Sequence, residues 1–171
     1  MFREMPFLKM LINNLLLIGL WQGITVFACQ HLPDSLFDAR RTLYQPRKWE
    51  QNGRWYRSHL KIQDWKDCLP QFISNGGFSK RSLGNALTLE YIDRFILETC
   101  RGEWMHTLGG FCLIPIIWLN TPLVSITISI PLFLGTWPFI IIQRYNRFRL
   151  EVLQKRLVRE QSHEQHVSVP T

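Results

Sequence analysis

Residues 98–143 read ETCRGEWMHTLGGFCLIPIIWLNTPLVSITISIPLFLGTWPFIIIQ, and from 104 to 143 the chain holds no Asp, Glu, Lys or Arg. Asn120-Thr121-Pro122 divides that uncharged run. Two apolar arms around a polar, proline-containing turn predict a helical hairpin, Trp104–Leu119 and Leu123–Ile142. The first arm has about 16 apolar residues, roughly 24 Å at helical rise, short of the ~30 Å hydrocarbon core. To cross, it must recruit residues from ETCRGEWMH, which carry two glutamates, an arginine and a histidine.

Outside this run the chain changes character. Mean hydropathy is near zero, yet residues 30–103 are polar and charged. Such a contrast within 171 residues marks a small integral membrane protein. Leu11–Ala28 (LINNLLLIGLWQGITVFA) is long enough for a further span, weakened by Asn13, Asn14 and Gln22. Arg3 and Lys9 precede it as in a leader, but CQHLPDSLF offers no small-x-small cleavage site, so a retained anchor is expected. The net charge of +7 sums +1 from residues 1–29, +3 from 30–103 and +3 from 144–171. Beside apolar spans, basic residues suit anionic head groups and set topology, and no nucleic-acid module is visible. Arg94 and Arg101 flank the hairpin on one side and Arg144, Arg147 and Arg149 on the other, placing both outer ends in the cytoplasm.

The expected fold is therefore an all-α integral membrane protein, a single membrane domain over 1–171. Its parts are an N-terminal anchor helix (11–28), a cytoplasmic interfacial segment (30–103) and the transmembrane hairpin (104–119 and 123–142). A basic amphipathic helix (143–160) and a disordered tail (161–171) complete it. Within the interfacial segment, WEQNGRWYRSHLKIQDWKDCLP mixes tryptophan with basic residues as head-group layers favour. NGGFSKRSLGN (75–85) reads as a loop. Residues 88–103 read as a helix with Leu89, Ile92, Phe95/Ile96 and Thr99 on one face, continuing into the first arm. The amphipathic extension would bury Tyr145, Phe148, Val152 and Leu153.

On a helix, Glu103 and His106 share a face, as do Glu98 and Arg101. A carboxylate beside an imidazole is the usual means of orienting a general base. Ionisable groups at membrane depth are functional candidates. Placed against the second arm, His106 falls level with Thr136–Trp137. A polar set of Glu98, Arg101, Glu103, His106, Gln143, Arg144, Asn146 and Arg147 would gather at the cytoplasmic boundary. The bland alternatives are a surface helix pair for Glu98 and Arg101, and a stop-transfer cluster for Arg144, Arg147 and Arg149. Other chemistry finds little support. The four cysteines (29, 68, 100, 112) fit neither a zinc site nor a disulfide framework. Two ExxH pairs (Glu103–His106, Glu160–His163) lack the further glutamates of a di-iron site, so no metal is expected.

Four stretches, LPDSLF (32–37), WKDCLPQF (65–72), ILETCRGEWMH (96–106) and PFIIIQRYNRFRL (138–150), resemble the glycosyl-4,4'-diaponeurosporenoate acyltransferase family of bacterial carotenoid pathways. The resemblance implies a membrane enzyme that esterifies the 6-hydroxyl of a carotenoid-linked glucose with a fatty acyl group, the last step towards staphyloxanthin. It covers Glu98, Arg101, Glu103 and His106 in one run and Gln143, Arg144, Asn146, Arg147 and Arg149 in the other. Phe148 stands where the resemblance leads one to expect proline, and phenylalanine lets the helix continue. Residues and resemblance together suggest catalysis by His106 held by Glu103, with Glu98, Arg101, Gln143, Arg144, Asn146, Arg147 and Arg149 binding substrate. No cofactor is implied beyond an acyl thioester co-substrate. The partners would be membrane lipid, an amphiphilic glycosylated acceptor and a fatty acyl donor, met at the cytoplasmic face of the bacterial plasma membrane. The alternatives are an acyltransferase for another glycolipid, or a non-catalytic membrane subunit that binds anionic lipid or a partner protein.

Overall fold

A computed structural model describes residues 5–69 and 88–167, with side chains through 163. Arg3, residues 70–72 of the 65–72 stretch, the 75–85 loop and the tail past 167 lie outside the described residues. Among the described residues every element is helical: α1 (Phe7–His31), α2 (Arg54–Leu60), α3 (Ile62–Trp65), α4 (Leu89–Gly110), α5 (Leu113–Leu119) and α6 (Pro122–Val167), with short 3-10 turns between some of them. Two of these, α1 and α6, are long and apolar enough to cross a membrane. Leu15, Leu16, Leu20 and Ile24 of α1 and Leu123, Ile126, Ile130 and Leu134 of α6 are exposed, a distribution that suits hydrocarbon better than water. The chain forms two compact units, residues 1–36 with 101–141 and residues 37–100 with 142–171.

In the first unit the expected first arm of the hairpin is split. Helix α4 ends at Gly110, Phe111 and Cys112 form a turn, and α5 restarts at Leu113. Gly109-Gly110 is poor helix-forming sequence, and Pro115 has no N–H to give to the Phe111 carbonyl. The chain tightens there into i→i+3 bonds, Phe111 N–H to Leu108 O (3.1 Å) and Cys112 N–H to Gly109 O (3.2 Å). Asn120 then ends α5, and Pro122 opens α6 at the first helical position, where its missing donor is harmless. The hydroxyl of Ser125 reaches back to the Ile116 and Ile117 carbonyls, both at 3.4 Å.

Helix α1 joins this unit through polar groups that weaken it as an isolated span. Asn14 and Asn120, each 1% exposed, exchange amide hydrogen bonds of 2.9 and 2.8 Å. The spare amide hydrogens are taken up locally by the Met10 and Ile116 carbonyls, both at 2.9 Å. Trp21 Nε1 donates to Leu108 O (2.9 Å) and Gln22 Nε2 to Gly109 O (3.2 Å). Met10, Asn14, Thr25 and Cys29 are the buried positions of α1, a stripe at helical spacing.

The second unit is built around the first half of α4 and the extension of α6. Ile92, Phe95, Ile96 and Leu150 form a buried cluster, with Ala39, Tyr91, Leu153 and Leu157 packed against it. Ile92, Phe95, Ile96 and Thr99 of the expected apolar face are buried as predicted. On α6 the expectation needs correction: Tyr145 and Phe148 are buried, but Val152 is 49% exposed and Leu150 points inward. The inward face also takes Arg144 and Arg147, which follow the same three-to-four spacing as Tyr145 and Phe148. The helix passes unbroken through Phe148 and continues to Val167, beyond the end expected near 160. Upstream, Gln51 (φ 50°), Asn52 (φ 53°) and Gly53 (φ 87°) turn the backbone through the left-handed region. A Cβ on Gly53 would lie 3.1 Å from the Phe148 ring, so the close approach of this turn to α6 needs glycine.

Candidate active site

The sequence-predicted residues fall into both units. Arg101, Glu103 and His106 belong to the first, and Glu98, Gln143, Arg144, Asn146, Arg147 and Arg149 to the second. In the first unit, Glu103 is 8% exposed and His106 half-buried. They sit one turn apart on the same side of α4, so an imidazole and a carboxylate occupy one face near the helix end. The imidazole ring stacks on Phe139 of α6, with centroids 4.8 Å apart and planes 15° from parallel, a little beyond the level expected at Thr136–Trp137. Stacking on an aromatic face fixes the ring plane and excludes water from one side. Arg101 forms a close ion pair with Asp34 in the 3-10 turn that follows α1. That pair ties LPDSLF to ETCRGEWMH in space.

In the second unit the arginines are organised by a residue that sequence reasoning missed. Glu50 is fully buried. Its carboxylate accepts from Arg144 Nε (2.6 Å) and Arg144 Nη2 (2.7 Å), from the Arg47 backbone N–H (2.6 Å), and from the Tyr56 hydroxyl. Burial pushes its pKa up, but the hydrogen bonds from Arg144, Tyr56 and Arg47 and the Arg144 charge outweigh that and hold it below the usual range. Tyr56 responds the opposite way: burial, then the Glu50 carboxylate, push its phenol above the usual value. Arg144 also donates to Gln45 O (3.2 Å), and its guanidinium lies 5.8 Å from the Phe148 ring centroid.

Arg147 is fully buried, donating to Tyr44 O (3.2 Å) and to Cys100 Sγ (3.6 Å), with its guanidinium over the Tyr44 ring at 5.4 Å. Arg149 faces the other way. It is exposed, its guanidinium 5.8 Å from the Tyr145 ring. Glu98 pairs with Arg94 at 2.9 Å, one turn back on α4. Gln143 and Asn146 are half-buried. Of the three α6 arginines read as substrate-binding, Arg149 alone is exposed, while Arg144 and Arg147 are enclosed by protein. The signal that could have found Glu50 was thin. It precedes Gln-Asn-Gly, a turn signature, and nothing in WEQNG shows periodic burial.

No three His, Cys, Asp or Glu side chains among the described residues converge as metal ligands. The four cysteines are free thiols.

A family model described as glycosyl-4,4'-diaponeurosporenoate acyltransferase matches residues 40–156. The chain belongs to that family. It is accordingly an acyltransferase. Relatives bearing the same description include a Staphylococcus haemolyticus protein, 32% identical over 123 residues that cover 70% of each chain. A Staphylococcus aureus (strain MRSA252) protein is 27% identical over 132 residues, 75% of this chain and 78% of its own. No solved structure matches the chain. The stretch matched to the acyltransferase family holds Glu50, Glu103, His106, Arg144 and Arg147, while α1 precedes it.

Proposed function

We propose that this acyltransferase works in the bacterial plasma membrane and esterifies a sugar hydroxyl of a glycosylated carotenoid with a fatty acyl group. Membership of the family, over a match that includes both arms of the hairpin, carries the reading. The exposed apolar faces of α1 and α6 fit an enzyme whose acceptor and acyl chain both reside in lipid. A cytoplasmic-facing site suits a thioester donor, and the arginines flanking the hairpin favour that orientation.

In the mechanism, His106 is the general base. It removes the proton from the acceptor hydroxyl as the oxygen attacks the thioester carbonyl, giving a tetrahedral oxyanion. Collapse breaks the C–S bond, forms the ester, and returns the proton from the imidazolium to the departing thiolate. Glu103, on the same face of α4, offsets the imidazolium charge while it exists. Phe139 keeps the ring plane fixed through both proton transfers. In the second unit, Arg149 is the exposed arginine of α6, and its guanidinium suits phosphate.

The test is expression in cells that accumulate a glycosylated carotenoid, with mass spectrometry of the lipid extracts. The expected product is the pigment glycoside carrying one fatty acyl ester, absent when His106→Ala replaces the protein at equal membrane abundance. Acylation of a different glycolipid would move the acceptor assignment. Undiminished ester from His106→Ala would end the general-base role.

A further inference from the structure

We propose that α1 is a working part of the enzyme, in which Trp21 and Gln22 are positioning residues that hold the end of α4 carrying His106. The inference rests on the reading of His106 as the base. It begins from a problem of backbone chemistry. A helix end leaves its last carbonyls without i+4 partners, and in a membrane no water is at hand to satisfy them. At the end of α4 the Leu108 and Gly109 carbonyls receive only the tightened bonds of the Phe111–Cys112 turn from their own segment. The second acceptor position of each is filled by α1: Trp21 Nε1 on Leu108 O at 2.9 Å and Gln22 Nε2 on Gly109 O at 3.2 Å. These carbonyls lie two and three residues beyond His106.

The contact is shaped for that purpose. A Cβ at position 109 would stand 2.6 Å from Gln22 Oε1, so any side chain there would push the Gln22 amide from its present place. Asn14 and Asn120 pin the same helix a second time, two turns before Trp21 on the same stripe of α1. A plain anchor needs only apolar residues facing lipid. Helix α1 instead turns Asn14, Trp21 and Gln22 onto the unit that holds His106. With Phe139 against the ring on the α6 side, the clamp fixes the backbone from which the imidazole projects. Small displacements of a catalytic group have large kinetic effects, about a hundredfold for ~1 Å.

The experiment compares the full chain with Trp21→Phe/Gln22→Met, which keeps side-chain bulk and removes both N–H donors. Gly109→Ala is the second variant, displacing only the far end of the flexible Gln22 side chain. Each is purified in detergent and assayed with a glucosylated carotenoid acceptor and a fatty acyl-CoA, after matching the folded fraction by size exclusion. The expected result is a ten- to hundredfold fall in kcat with acceptor KM within about twofold, since the acceptor still binds while the base is misplaced. Wild-type kcat in both variants overturns the proposal. So does a loss of activity that merely tracks loss of folded protein, which is the signature of a structural role. His106→Ala is run alongside. An inactive His106→Ala with a fully active double variant removes the clamp and leaves the base in place. A fully active His106→Ala removes the base, and with it the reason for the clamp.

Discussion

Glu50 and Arg144 stand 94 positions apart in the chain and meet, both buried, through two hydrogen bonds of 2.6 and 2.7 Å. The pair explains how the second unit tolerates a guanidinium on the inner face of α6. A buried ion pair adds little stability over a hydrophobic substitute, but stranding one member is expensive. Glu50→Gln should therefore destabilise the protein by about 3–5 kcal/mol, and Arg144→Met by a similar amount. The double variant should recover most of that loss, because no uncompensated charge is left inside. Urea unfolding in detergent, followed by Trp fluorescence in a double-mutant cycle, reads the coupling. Additive losses would show that the two groups do not depend on each other.

The same pair sets an acid limit. The folded-state pKa of Glu50 lies below its ordinary value, so in the window between the two the unfolded chain binds more protons and stability rises with pH. The contribution is complete above the ordinary glutamate range, roughly pH 5, and is lost as pH falls through the depressed folded value. Tyr56 contributes at the other extreme. Its raised folded value means stability is intact below about pH 10 and declines as pH climbs beyond it. Melting temperatures taken from pH 3 to 6 should fall more steeply for wild type than for Glu50→Gln. Parallel curves would remove Glu50 from the acid limb.

Much of the helical plan was legible because periodicity and absence of charge are direct signals. The inner face of α4 at Ile92, Phe95, Ile96 and Thr99, the turn at Asn120, and the passage from apolar arm to basic extension all follow from them. What escaped reading depends on partners distant in sequence. Arginines after an apolar span read as topology signals, and only the fold shows that Arg144 and Arg147 turn inward, towards Glu50 and Tyr44. The break after Gly110 was present in Gly109-Gly110 and Pro115, but counting uncharged residues gives such local signals no weight. For Asn14 and Gln22 the sequence shows polarity in a span, and the fold supplies the reason for it.

Asn14 and Asn120 offer the sharpest test of that reason. Their amides are buried and bonded to each other in both directions, and each also donates to a carbonyl of its own helix. In lipid, a polar contact between helices contributes about 0.6–2 kcal/mol, a modest amount because separated helices also find other partners. Asn14→Leu alone strands the Asn120 amide in an apolar setting and should destabilise the folded unit. Asn120→Leu should do the same from the other side. With both replaced no orphan remains, so the double variant should be less than additively impaired, by about 1 kcal/mol or more. Steric trapping or denaturant unfolding in bicelles measures the cycle. Strict additivity would mean the two amides act separately, and α1 would then be held by its apolar contacts and by Trp21 and Gln22 alone.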